Sequence, residues 1–390
     1  MLVFSKLNVK RVKYLQIMLL KKHYAFSYLL LILIFIGCTS KNENSFIISG
    51  TISNLENDYV ILSQLENIQT KEVITIDTLK INKRGKFSAV YFLEPNIYNL
   101  TFSNNKTIQL AIDKGQHIKI QGTNLEDIQV LGSKDTQLLN DYETFRKKSL
   151  NTLVTSVRNK IKLLKTSENN ELEIAKLRAL EVDNYKKHLN ELIEFIKEKM
   201  GTSIAIYPTS LRWNSEHLDI LNEIVSNFEE THPELEITNK LLAKIEQLKK
   251  TSVGATIGAI KMPNNINKTI SLDTIKAKYI LIDFWASWCP PCRTESVTLN
   301  ELYTSYNNKG FKIYGISLDT NKERWLKALK KDNRVWTNVS TLEGFKTPIS
   351  KEYGITSLPT NILINSEKKI IAINIHGEEL KQFIDNLYKE

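Results

Sequence analysis

The seven residues 279–285 read Tyr-Ile-Leu-Ile-Asp-Phe-Trp, and four positions further on stands the first cysteine of Trp288-Cys289-Pro290-Pro291-Cys292. A short, nearly unbroken apolar run of this kind is a buried strand. The cysteine pair sits where that strand gives way to a helix, expected from just beyond Cys289 to about residue 307. Apolar runs at 311–318, 360–364 and 370–375 read as further strands, and 323–331 and 378–388 as helices. The alternation commits residues 251–390 to an α/β fold with a sheet at its centre.

The spacing of the cysteines carries chemistry. Two intervening residues let both sulfurs meet across one helical turn, so a small ring can open and close reversibly. Cys289, at the helix N-terminus, feels the positive end of the helix dipole and backbone N–H donors. These favour the thiolate, the nucleophilic form of a group that otherwise ionises near about 8.5. Cys292 lies one turn deeper and is the natural resolving thiol. Neither Pro290 nor Pro291 has an N–H, which leaves the thiolate with fewer donors and argues against a strongly oxidising pair. Two blander readings compete. Half of a zinc site would need four ligands, and the chain offers no second cysteine pair and no nearby His-x-x-x-His. A static structural disulfide would add little, because so short a loop contributes little chain-entropy stabilisation.

Upstream, two zones differ in pattern. Residues 46–132 hold short β-branched and aromatic runs at 45–53, 59–63, 72–79, 86–92, 97–102, 108–112 and 117–121, separated by turn residues. They predict a small antiparallel β-sandwich or barrel. Residues 135–250 are rich in Lys, Glu, Leu and Asn and predict four or five amphipathic helices. Leu172, Ile174, Leu177 and Leu180 form one apolar set, and Leu189, Leu192, Ile193 and Ile196 another. The charged faces of these helices are either solvated or part of a substrate or dimer surface, which charge patterning alone does not decide. His117 reads as a solvated strand residue, His376 as structural, and His188, His217 and His232 sit singly, so no metal site is expected.

The N-terminus reads as an address. Lys21, Lys22 and His23 precede an apolar run ending at Gly37 that is too short to span a bilayer comfortably. Ile36-Gly37-Cys38 resembles a bacterial lipobox, with Phe35 where Leu is usual. The resemblance implies cleavage after residues 1–37 and lipidation of Cys38, hence a membrane anchor outside the cytoplasm. Met18 would make a more ordinary start for such a signal than Met1. Of the chain's 53 Lys and Arg against 43 Asp and Glu, six lie in this segment, and the rest form no basic stripe with interleaved aromatics. A nucleic-acid partner is therefore not expected. Three cysteines in 390 residues also exclude a small disulfide-stapled domain.

Residues 280–295, Ile-Leu-Ile-Asp-Phe-Trp-Ala-Ser-Trp-Cys-Pro-Pro-Cys-Arg-Thr-Glu, resemble a thioredoxin fold and, more narrowly, the TlpA-like thiol–disulfide oxidoreductases. The order of lipoprotein signal, β domain, helical insert and this module is similar to that of thioredoxin-family lipoproteins of Bacteroidetes-type bacteria. The resemblance implies a protein-disulfide substrate, a membrane thiol reductant as electron donor, no cofactor beyond the cysteine pair, a link to cytochrome complex assembly, and a place in the cell envelope on the periplasmic or outer-membrane face. It also implies residue roles. Asp283 falls where thioredoxins keep a buried carboxylate that exchanges a proton with the inner cysteine; Glu295 falls where TlpA-like reductases often hold an acid. Val297 replaces a proline usual in the family. Ser357-Leu358-Pro359-Thr360 matches the loop whose proline is cis and whose preceding backbone pairs with the substrate chain. Leu358, Pro290 and Trp288 would then line the substrate path, with Trp285 also bordering the sulfurs. Two alternatives remain at this level. One is a peroxidase of the same fold, although no Pro-x-x-x-Thr-x-x-Cys is present. The other is a non-enzymatic lipoprotein whose binding is gated by the redox pair.

Overall fold

The computed structural model describes residues 45–55, 58–166 and 170–389; the signal-like segment and Cys38 lie outside the described residues. The first strands are β1 (Phe46–Ile52), β2 (Tyr59–Asn67), β3 (Glu72–Lys80), β4 (Lys86–Tyr91), β5 (Asn96–Phe102), β6 (Thr107–Ile112), β7 (His117–Gly122) and β8 (Gln129–Leu131). They form two sheets, ordered β4-β1-β7-β8 and β3-β2-β5-β6. Alternate residues of β1 are buried, as a strand with one core-facing side requires. Phe46, Ile48, Val60, Leu62, Tyr98, Leu100, Ile118 and Ile120 form the shared core. One pairing departs from the expected antiparallel arrangement: β1 and β7 run parallel, with Ile48 opposite Ile118. The chain leaves β1, builds the intervening strands and returns in the same direction, a crossover that alternation within single strands does not reveal. Gly50 is needed in β1, since a Cβ there would lie 2.2 Å from the Phe87 ring.

The helical region follows as α1 (Lys134–Leu150), α2 (Ser156–Leu164), α3 (Glu171–Phe195), α4 (Ile206–Thr209), α5 (Leu218–Thr231) and α6 (Glu236–Lys249). Ser133 caps α1 by accepting the Thr136 N–H at 3.0 Å, and its hydroxyl donates to the Ala111 carbonyl at 2.8 Å, which fastens α1 to β6. A π-helical turn at Asn151–Thr155 carries α1 into α2. Leu192, Ile193, Ile196, Leu221, Val225, Phe228, Leu241 and Ile245 pack together with Leu65, Ile97 and Ala111 of the second sheet. The other expected apolar set does not form one buried face. Leu177 and Ile174 pack on Val157 and Ile161 of α2, but Leu172 and Leu180 are 73% and 43% exposed. This half of α3 has α2 as its apolar neighbour instead of the main core, so a narrow stripe suffices.

The C-terminal elements are β9 (Lys261–Pro263), β10 (Thr269–Ser271), β11 (Tyr279–Trp285), α7 (Pro290–Tyr306), β12 (Phe311–Ser317), α8 (Lys322–Lys331), β13 (Thr337–Val339), α9 (Pro348–Glu352), β14 (Thr360–Asn365), β15 (Ile370–Ile373) and α10 (Gly377–Leu387). The five-stranded sheet has the order β13-β12-β11-β14-β15, with β11 parallel to β12 and antiparallel to β14. Along β11, Ile280, Ile282 and Phe284 enter one core layer, while Leu281 enters the opposite layer with Leu299 and Leu302 of α7 and Leu380 and Ile384 of α10. The two-residue period of a strand puts Asp283 and Trp285 on the α7 side with Leu281. That alternation aims a carboxylate beneath the helix that begins at the cysteines.

Candidate active site

Cys289 is the N-cap of α7, with Pro290 and Pro291 in the first turn, where a missing N–H leaves no intrahelical bond unmade. Cys289 and Cys292 are joined as a disulfide with Cα atoms 5.4 Å apart, and the Cys292 N–H points at Cys289 Sγ at 3.3 Å. The turn before them is fixed from below. Ser287 donates its N–H to buried Asp319 at 2.9 Å, and Arg293 pairs with Asp332 and donates to the Ser287 carbonyl at 3.1 Å. The two sulfurs pack with Trp285, Ala286, Trp325 and Ala328. Cys289 is 3% exposed and Cys292 1%, so in this oxidised form the outer cysteine is scarcely more open than the inner.

Asp283 is buried beside the pair. Its Oδ2 accepts from the Arg334 guanidinium at 2.6 Å, and the same guanidinium donates to the Cys292 carbonyl at 2.9 Å and to Ser296 Oγ at 3.0 Å. It also stacks 3.9 Å above the Trp285 ring. Burial pushes the Asp283 carboxyl above its ordinary value, and nearby Glu295 adds to the rise, against the pull of Arg334. Arg334 thus links the buried acid, the helix start and the inner cysteine. Residue spacing does not announce it, because its ion-pair partner lies 51 positions away.

Glu295 is one turn along α7, and its Oε1 lies 2.9 Å from Nδ1 of His376. Burial opposes charge on His376, but Glu295, Asp283 and Glu379 outweigh it and hold the imidazole above its ordinary value. His376, expected to be structural, therefore meets the acid that lies one turn past the second cysteine. A histidine directly after a strand and an acid three residues past the second cysteine were each visible in sequence; their meeting across 81 positions was not.

The Leu358–Pro359 peptide bond is cis. Thr360 Oγ1 donates to the Ser357 carbonyl at 2.9 Å and braces the loop. Leu358 packs against the sulfur cluster, and Trp288 stands 52% exposed with Phe345 as its ring neighbour. Cys289, Trp288, Pro290, Leu358 and Pro359 all line one cleft of about 830 Å³. Its opposite wall comes from the helical region, through Arg158, Arg178, Glu181, Lys186 and Arg212. Part of the charged helix face is thus neither purely solvated nor remote from the sulfurs. Asn374 donates to Glu216 Oε1 at 3.0 Å and ties the two walls together. Among the described residues, no group of three or more His, Cys, Asp or Glu is placed to hold a metal ion.

Residues 253–373 match the AhpC/TSA family, and residues 46–139 match a domain of unknown function, DUF4369. The thiol–disulfide oxidoreductase ResA of Bacillus thuringiensis subsp. konkukian is 33% identical over 123 residues, covering 32% of this chain and 69% of that protein. A thiol–disulfide oxidoreductase from Bacteroides fragilis has 36% identity over 34% of this chain and 98% of its own, with a TM-score of 0.32. The thioredoxin domain of a thiol–disulfide oxidoreductase from Bacteroides vulgatus has 32% identity over 35% of this chain and 97% of its own, with a TM-score of 0.33. Identity of that extent to the Bacillus protein, with the family match spanning both paired cysteines, assigns this chain to the thioredoxin-fold thiol–disulfide oxidoreductases of the AhpC/TSA family.

Proposed function

We propose that the chain is an extracytoplasmic, membrane-anchored reductant or exchanger of disulfides in polypeptide substrates, working through Cys289 and Cys292. The observation that carries this reading is a disulfide at a helix N-cap, packed against the cis-Pro359 loop and opening on a cleft large enough for a ligand. In the reduced chain, the Cys289 thiolate attacks one sulfur of the substrate disulfide. A mixed disulfide forms and the other substrate sulfur leaves as a thiolate. Cys292 then loses its proton and attacks Cys289 Sγ. The second substrate sulfur is released, two electrons have passed to the substrate, and the Cys289–Cys292 bond remains.

Asp283 is the group we assign to the Cys292 proton. Burial raises its carboxyl above its ordinary value, which favours uptake of a proton, and Arg334 joins it to the Cys292 carbonyl. Glu295 is held by His376 and acts through the local field. Pro290, Trp288 and Leu358 give the substrate apolar surface beside the sulfurs, and the backbone before Pro359 offers it a strand edge. The Thr356 and Leu358 N–H groups, which bond to no other described residue, suit that role. A membrane thiol reductant resets the pair. The anchor is lipid on Cys38, supported by the basic residues, short apolar run and lipobox-like sequence before it.

The test is direct. The reduced full chain is mixed with a peptide that holds one disulfide, and both are followed by intact mass. The expected result is stoichiometric peptide reduction with closure of Cys289–Cys292. Thiols that stay free with the peptide, or faster turnover with hydrogen peroxide than with the disulfide, would contradict the reading.

A further inference from the structure

The wall of the cleft that faces the sulfurs holds a cation without an acceptor. Arg178 of α3 is 9% exposed and lines the cleft, yet its side chain makes no hydrogen bond or ion pair with any described residue. Glu181, the acid whose charge it feels, is already engaged by Arg158 at 2.6 Å. A guanidinium stays charged at all ordinary pH, and one held mostly buried in a cleft gains from an anionic ligand that supplies acceptors there. Burial depresses its proton affinity, and the charge of Glu181 offsets only part of that.

The surroundings have the same sign. Lys162, Lys165 and Arg212 also line the cleft, and among the described residues no ion pair engages the two lysines. Of the acids on the walls, Glu216 accepts from Asn374 and, like Glu379, lies 3.9 Å from Lys186, which leaves Asp183 against Arg178, Arg212 and the two lysines. A concave wall that holds an unanswered guanidinium within a mostly cationic rim suits a carboxylate, which Arg can meet with two parallel hydrogen bonds.

We propose that Arg178, supported by Arg212 and the two lysines, forms a carboxylate-binding subsite that selects acidic, extended segments of disulfide-bearing polypeptides. The inference rests on the exchange reading above and names its substrate class. An extended segment fits because the cleft has two walls: one end offers the free backbone edge before Pro359, and the other offers the guanidinium. A broad folded surface would collide with the helical wall.

Two peptides with the same disulfide test this, one flanked by Glu and one by Gln. The full chain is expected to favour the acidic peptide in kcat/KM by about tenfold at low salt, the scale of one charge-assisted hydrogen bond. The ratio should shrink toward unity at high salt, collapse in Arg178→Gln and be only partly kept in Arg178→Lys, which retains the charge without the fork. The salt series on the unmodified chain tests the subsite even if a variant fails to fold. Equal turnover of the two peptides at every salt concentration would overturn the subsite and leave the exchange reading intact. No turnover of either peptide would bring down the exchange reading itself. Free glutathione disulfide supplies carboxylates without an extended chain, and its preference over the acidic peptide would overturn the polypeptide assignment.

Discussion

Cys289, Cys292 and Pro359 belong to one α/β unit whose strands follow from their own apolar pattern, whereas Arg178 and Arg212 reach the same cleft from helices packed on each other and on the second β-sheet. One wall supplies sulfur chemistry and the other supplies charge. The reactive wall is specified by neighbours in sequence: a buried strand, a turn, two cysteines and a helix start. The charged wall exists only after distant segments pack. In this chain the sulfur chemistry is written locally, whereas the charge that faces it is a tertiary property.

Removing the attacking sulfur is the largest blow the comparison admits. Cys289→Ser should lower disulfide exchange by on the order of a thousandfold or more, as loss of a nucleophile does elsewhere. A surviving rate, measured with a disulfide peptide, would move the chemistry away from the first wall. Next in size is the buried ion pair beneath it. Arg334→Met leaves the buried Asp283 carboxyl without its ion-pair partner, and should cost about 3–5 kcal/mol in urea unfolding. The double variant with Asp283→Leu should recover most of that loss, because neither charge is then stranded.

The second wall can be loosened without touching a sulfur. Leu192 is buried among the helices, and Leu192→Ala should cost about 2–5 kcal/mol. At a temperature where the variant is folded, turnover of a small neutral disulfide should change by less than about twofold, because the site lies in another core. A large loss would show that the walls act as one unit. The smallest effect is a pH dependence. The folded chain raises His376 above its ordinary 6.5, so the pair with Glu295 contributes fully below that value and its contribution is lost as pH rises through the folded value. His376→Gln should therefore destabilise more near about pH 6 than near about pH 9, read as the gap between unfolding curves.

Much of the reactive wall is legible in the sequence, for a physical reason. The spacing of Cys289 and Cys292, the apolar run around Asp283 and the Leu358–Pro359 loop are all short-range patterns. Arg334 and His376 escaped because their partners lie far along the chain, and an isolated Arg or His carries no period. The three-residue strands β9, β10 and β13 are too short for alternation to register. Leu172 and Leu180 look like core by spacing and are exposed by packing. The parallel pairing of β1 with β7 depends on chain direction, which side-chain alternation does not encode.

The central claim is that Cys289 is the sulfur that attacks and Cys292 the one that releases. Reduced Cys292→Ser and reduced Cys289→Ser, each mixed with the same disulfide peptide, separate those roles by intact mass. The account predicts one reductant-sensitive peptide adduct on the first variant and essentially none on the second. Adduct formation on Cys289→Ser alone, or on neither, would contradict it.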